Sequence, residues 1–257
     1  ACTSFLAAIL AIKQNDLKKV LAYSTLSQLG YMVMAVGVGA YTASFMHLIT
    51  HAVFKACLFM ASGSVIYAMH HEQDMGHMGG LKNKLPITFA AMLITTLAIS
   101  GVPMFSGFVS KDKILAGALG YGYFQHPEHI LIPILGFMTA GLTAFYMFRL
   151  IFKTFFGHPH DQKHYDHAHE GGFNMWLPLV VLAGLSLSVV FSGSITGGLF
   201  WHADGILGGA NDWFQTLVVR PGAGAAAHGD SHGHGFEHYV HSFPTRRSSD
   251  IGRASCR

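Results

Sequence analysis

Charged residues are scarce in this 257-residue chain: Asp, Glu, Lys and Arg make up 11% of it, against 51% hydrophobic residues. Soluble domains are about a quarter charged, so a water-soluble enzyme is excluded by composition. Polarity is also too low for intrinsic disorder, since the chain carries twenty Phe and a positive mean hydropathy. Cysteine is nearly absent, and Cys2, Cys57 and Cys256 are too scattered for a disulfide framework or a thiolate metal site. There is no GxGxxG, no Walker loop, no CxxC and no nucleophile motif. No cofactor is therefore expected on this chain, and whatever powers it lies on another.

A basic surplus is missing as well. The net charge of +3 rests on sixteen Lys and Arg against thirteen Asp and Glu. Arg246, Arg247, Arg253, Arg257 and Asp250 all lie in the last sixteen positions, and without them the balance is twelve to twelve. Nucleic-acid binding is not expected from such a balance. The last stretch, SFPTRRSSDIGRASCR (242–257), breaks the composition of everything before it and resembles translated sequencing-library adapters. It is set apart as non-native. The chain starts inside an apolar run without an initiator Met and reads as an internal piece of a longer protein.

What abounds is apolar length. A bilayer core takes about 20 apolar residues to span as a helix. By that measure residues 3–13 are the end of one span, and 20–39, 43–69, 85–119, 130–156 and 175–200 are five more. Span 85–119 is too long for one straight crossing, and its centre, SGVPMFSGF, holds Pro103 between Gly101 and Gly107. Proline removes a backbone donor and glycine weakens a helix, so two half-helices joined by an unwound stretch are expected there. The expected fold is all-α, a polytopic transmembrane helix bundle with one discontinuous helix. Residues 1–200 form the membrane domain, 201–241 a polar His/Gly-rich loop, and 242–257 the tail. One set of connections holds Lys13, Lys18, Lys19, Lys82, Lys84, Lys153 and Lys163, whereas 39–42 and 120–129 hold no lysine or arginine. The first set should be cytoplasmic, and the sides then alternate without exception.

Titratable groups inside a span are costly and ask for a reason. In HLITHAVFK, His47, His51 and Lys55 recur at every fourth residue. Four residues turn a helix by about 400° and advance it about 6 Å, so the three heads form a ladder on one face. Imidazole exchanges protons near neutrality, and lysine removed from water gives up its proton more readily, so a hydrated interior can pass protons along such a ladder. The alternative, buried structural histidines with a snorkelling lysine, fails for Lys55, which lies mid-span. In VSKDKIL, Lys111, Asp112 and Lys113 follow the expected break, where exposed backbone groups line a cavity and a lysine can gate or accept a proton. The competing reading makes SKDK an ordinary loop, but it spoils the alternation of sides. Lys18 and Lys19 with Asp16 open the span whose interior carries Tyr23, Ser24, Thr25, Ser27 and Gln28. Those groups either hold water or pack helices by hydrogen bonds. Arg149 and Lys153 read as interface anchors. Two segments, 158–170 and 228–241, hold ten of the eighteen His, but their spacing matches no closed metal site, and none is assigned.

QNDLKKVLAYSTLSQLGYM, HLITHAVFKACLFMASGSVI, HHEQDMGHMGGLKNKLP and FSGFVSKDKILAGA, in this order, resemble the antiporter-like membrane subunits of respiratory complex I, most of all the largest of them. The resemblance runs to about residue 200. It implies two inverted repeats, each with a discontinuous helix and a proton half-channel, of which this piece matches the second. It also implies that Lys55 lies on a central hydrophilic axis with His47 and His51, that Lys111 sits on the discontinuous helix at the exit side, and that Lys18 belongs to the same polar chain. The implied partners are the other membrane and peripheral subunits of complex I, the lipid bilayer and protons. The implied location is the bacterial inner membrane. The first half-channel and a long lateral helix would lie outside this piece, so an isolated fragment should not pump. Multisubunit cation/proton antiporters and energy-converting hydrogenases share the ladder and the break. A purely structural membrane subunit is the other reading left open.

Overall fold

The computed structural model describes residues 1–103, 105–159 and 162–187. The His/Gly-rich loop expected at 201–241, the tail at 242–257, and the second half of the expected span 175–200 lie outside the described residues. Within them the chain is helical and contains no strand, only two isolated backbone bridges. The helices are α1 (Cys2–Lys13), α2 (Leu17–Gly37), α3 (Tyr41–Ala68), α4 (Pro86–Ser100), α5 (Ser106–Leu119), α6 (Leu131–Phe155), α7 (Gln162–His167) and α8 (Phe173–Leu185). By length and composition α2, α3 and α6 can each cross a membrane alone.

Local signals set the ends. The second helix begins at Leu17, earlier than the expected residue 20, because the Asp16 carboxylate caps it by accepting from the Lys18 and Lys19 amides at 2.9 and 3.2 Å. Lys18 and Lys19 stay exposed in that first turn. Pro86 starts α4 at a position where its missing N–H costs nothing. Gly101, at φ +77°, ends it.

The long apolar run does break. The Gly101 amide donates to the Ala98 carbonyl and the Val102 amide to that of Leu97, both at 3.1 Å, which is a Schellman ending. Residues 101–103 leave the helix with Pro103 among them, and α5 restarts at Ser106. The unwound backbone is tied to the end of α8: the Ser106 amide donates to the Ser186 carbonyl at 3.2 Å, and Phe105 bridges Leu187. Gly107 lies so close under α4 that a Cβ there would run into the Ala98 carbonyl.

The connections gather at two ends. At one, the Leu17 amide donates to Gln73, the Met75 amide to Asn15, the Gly80 amide to Phe156, and the Lys84 ammonium to the Asp166 carbonyl. At the other, Ala1, Gly37, Val38, Tyr121 and His129 line one shallow cavity. The lysine-bearing loops thus share an end, as the alternation of charge requires. Around the bundle the arrangement is apolar outside: Leu6, Val33, Phe137, Phe145 and Phe152 are exposed, Val33 at 70%. Such a surface suits lipid or neighbouring helices and not water.

Candidate functional site

The third helix lies at the centre, packed against α2, α4, α5 and α8. Its fourfold spacing puts His47, His51 and Lys55 on the inward face, with exposures of 0%, 6% and 5%. The imidazole centroids of His47 and His51 are 6.1 Å apart, as one helical turn dictates. Lys111, from α5, is 4% exposed and joins the same interior. Its neighbours diverge, for Asp112 is exposed and Lys113 is half-buried.

Each lysine meets a backbone carbonyl. The Lys55 ammonium donates to the Leu21 carbonyl on α2 at 3.1 Å and stands 5.9 Å from the Phe59 ring centroid. The Lys111 ammonium donates to the carbonyl of Ile99. The Schellman ending uses the carbonyls of Leu97 and Ala98, which leaves that of Ile99 available in the last turn of α4. A cation is favoured at this negative end of the helix dipole. Among the described residues neither ammonium has a carboxylate partner; the ion pairs present are Lys19–Asp16, His77–Glu72 and His126–Glu128, all near the surface.

The two histidines differ. Nδ1 of His47 lies 2.8 Å from Ser110 Oγ on α5, and Nε2 lies 3.1 Å from Gln28 Oε1 on α2. Nε2 of His51 has no hydrogen-bond partner among the described residues although it is buried, and its ring packs edge-on to Phe54 at 5.3 Å. An unpaired buried nitrogen costs about 1–3 kcal/mol, and a bridging water is the ordinary remedy. Proton movement between His51 and either neighbour requires such a bridge, because no direct hydrogen bond joins them.

Of the two uses expected for the polar groups of α2, the structure displays helix-to-helix hydrogen bonding. Ser4 and Ser27 donate to each other's carbonyls and bind α1 to α2. Gln28 faces the ladder, and Tyr146 on α6 donates to Ser24 Oγ at 2.9 Å. Arg149 and Lys153 stay outside the ladder: Arg149 donates to the Gln14 carbonyl and Asn15 Oδ1, both at 2.7 Å, and Lys153 to the same Oδ1 at 3.3 Å. Lys18 is exposed in the first turn of α2 and is not brought into the buried group. Ser110 and Thr50, 3.4 Å apart at the junction of α3 and α5, were not singled out from the sequence. The one signal for Ser110 is a hydroxyl directly before an intramembrane lysine.

Near the lysine-bearing end, the Glu72 carboxyl is held below the usual carboxylate range by the Asp74 amide first, then by that of Gln73 and by His77. Glu170 accepts from the Ile87 amide at 3.1 Å and from the Thr88 hydroxyl, which caps α4 from a distant loop.

Residues 1–144, which include both buried lysines, match the NADH:quinone oxidoreductase/Mrp antiporter transmembrane family. The chain is 48% identical over 214 residues to NADH-quinone oxidoreductase subunit L of Rhodobacter capsulatus, covering 79% of this chain and 28% of that one. It is 45% identical over 227 residues to NAD(P)H-quinone oxidoreductase chain 5 of Picosynechococcus sp., covering 78% and 33%. The fold is similar to a chain in the structure of the membrane-bound sulfane sulfur reductase, an archaeal respiratory membrane complex. That likeness has a TM-score of 0.65 and 27% identity, and covers 72% of this chain and 30% of that one. The chain therefore spans about a third or less of the length of the curated relatives it matches. With over half of its residues matched, the chain belongs to the NADH:quinone oxidoreductase/Mrp antiporter transmembrane family.

Proposed function

We propose that this chain is part of a proton-translocating membrane subunit of an NADH:quinone oxidoreductase, and that His47, His51, Lys55 and Lys111 carry the protons. The observation that carries this reading is a buried row of two imidazoles and two lysines, without carboxylate partners among the described residues, inside a bundle whose outer surface is apolar. Uncompensated ammonium groups in such a place are expensive, and helix packing gains nothing from them that serine or threonine would not supply. A group whose protonation is worth changing is a reason to keep them.

In this reading residues 1–200 are the translocation domain, set in a bacterial inner membrane beside the other membrane and peripheral subunits of the complex. Quinone reduction in those partners changes the charge along the row. Charge on Lys55 works against charge on Lys111, because the interior screens poorly. The broken helix gives Lys111 an acceptor that does not titrate, the Ile99 carbonyl, so losing the proton leaves no unpaired acid behind. Lys18 enters only through the family resemblance, as a surface member at the lysine-bearing end. No redox or nucleotide site is assigned to this chain.

Native electrophoresis of the full-length gene product, tagged in its own membranes, tests the assignment. Co-migration with NADH-oxidising, quinone-reducing activity is the expected result. Migration in a large complex without that activity favours the second reading, a cation/proton antiporter subunit, which the matched family also includes.

A further inference from the structure

His47 is the only histidine of the buried row with both ring nitrogens in direct contact with protein, and the partners on its two sides are not equivalent. The roles follow by working inward from α6. The Thr143 hydroxyl donates to the Thr139 carbonyl at 2.8 Å, so its oxygen is left to accept. Gln28 Nε2, 3.2 Å away, donates to it. That fixes the carboxamide with Oε1 toward His47 Nε2 at 3.1 Å, and a carbonyl oxygen can only accept. Nε2 therefore carries the hydrogen. In a neutral imidazole the other nitrogen is then an acceptor, and the Ser110 hydroxyl, which has the Gly107 carbonyl at 3.2 Å as its other acceptor, turns its proton to the nearer Nδ1 at 2.8 Å.

We infer that Gln28 fixes the tautomer of His47, so that this histidine takes up and returns protons through Nδ1 alone, on the side of the broken helix. The inference rests on the proton-translocation reading above. A proton reaching Ser110 Oγ is matched by transfer of the hydroxyl's own proton to Nδ1, which leaves the serine neutral and the ring an imidazolium. Return follows the same path, since the amide oxygen of Gln28 is too weak a base to accept the proton on Nε2. His47 thereby acts as a side store facing α5, whereas His51, with an open Nε2, is suited to passing protons through. Gln28 is a positioning residue in this scheme, and Thr143 fixes Gln28 in turn.

The titratable groups around His47 are Tyr31 on α2, with ring centroids 6.1 Å apart, His51 on its own helix and Lys111 on α5, while Tyr146 of α6 reaches Gln28. Lys55 lies beyond His51. All are present in wild type and in both Gln28 variants compared below, so a change at Gln28 is read against a constant surround.

The test measures NADH-driven proton translocation against pH in membrane vesicles carrying the full-length protein in its assembled complex. Wild type, Gln28→Glu, Gln28→Leu and a Lys55→Met control are compared. A carboxylate in place of the amide still accepts from Nε2–H but stabilises the imidazolium, so Gln28→Glu is expected to move the half-maximal pH upward by about one unit. Gln28→Leu removes the acceptor and is expected to move it downward. Profiles that coincide with wild type for either assembled variant overturn the inference, as does a shift of both in one direction. Should Gln28→Leu not assemble, the Gln28→Glu profile decides alone. If Lys55→Met translocates protons like wild type, the underlying reading has failed. If it does not, and the Gln28 profiles are unmoved, only the tautomer assignment has failed.

Discussion

At the scale of single residues, the useful contrast is between lysines of one charge in different surroundings. Lys55 and Lys111 are buried and each donates to a backbone carbonyl, whereas Lys18 stands exposed beside its own helix cap. Lys111→Met is therefore expected to abolish proton translocation in the assembled complex, and Lys18→Met to reduce it by less. Translocation in vesicles checks both, and equal loss would make Lys18 a full member of the row. The inward ladder was legible because a helix places every fourth residue on one face, and the mid-span position of Lys55 ruled out snorkelling. What Lys111 would touch was not legible, for its partner is a backbone carbonyl, and every residue type supplies one. Ser110 has no distinct signature, and the contact of Gln28 with the ladder is not separable from the other polar groups of its span, for a related reason. A hydroxyl or amide in a membrane helix bonds as readily to a neighbouring backbone, as Ser27 does, and sequence alone does not separate the two.

At the scale of elements, the broken helix carries the argument. Its existence followed from Gly101, Pro103 and Gly107, and the structure gives each a separate part. Gly101 supplies the left-handed turn that ends α4, Pro103 lies in the connection, and Gly107 lets α5 pass beneath the last turn. Gly107→Ala is expected to destabilise the protein by roughly 1–3 kcal/mol, the usual range for forcing extra volume into a packed site. Gly63→Ala in α3, where a new Cβ meets nothing within 4 Å, is expected to be neutral or better. Thermal unfolding in detergent compares the two, and equal melting temperatures would mean that the close approach at Gly107 relaxes freely. The tie between 105–106 and 186–187 had no signature in the sequence. It is made by main-chain groups about eighty positions apart, and pairings of that kind depend on how helices stack. The start of α2 was missed by three residues because hydropathy registered Lys18 and Lys19 as polar, while the Asp16 cap decides where the backbone begins to coil.

At the scale of the whole molecule, the alternation of lysine-rich and lysine-free connections predicted which loops would meet, and backbone bonds between 15–17 and 73–75 and between 80 and 156 bring the first set together. Cysteines introduced at Lys82 and Glu128, in the full-length protein, are expected to react with an impermeant thiol reagent from opposite sides of the membrane. Labelling of both from one side would contradict the topology. The bundle agrees with a composition that excludes a soluble protein: large apolar side chains face out, and the buried lysines and histidines sit within a largely apolar core. Such an apolar exterior suits lipid, and there a buried lysine with no carboxylate partner among the described residues is either a liability or a working part. The decisive measurement is NADH-driven proton translocation in vesicles containing the full-length protein with Lys55→Met, set against wild type at equal amounts of assembled complex. Loss of translocation with assembly intact is the expected result. Translocation at the wild-type rate, with a complex as stable or more so, would make the buried row a matter of packing and contradict the account.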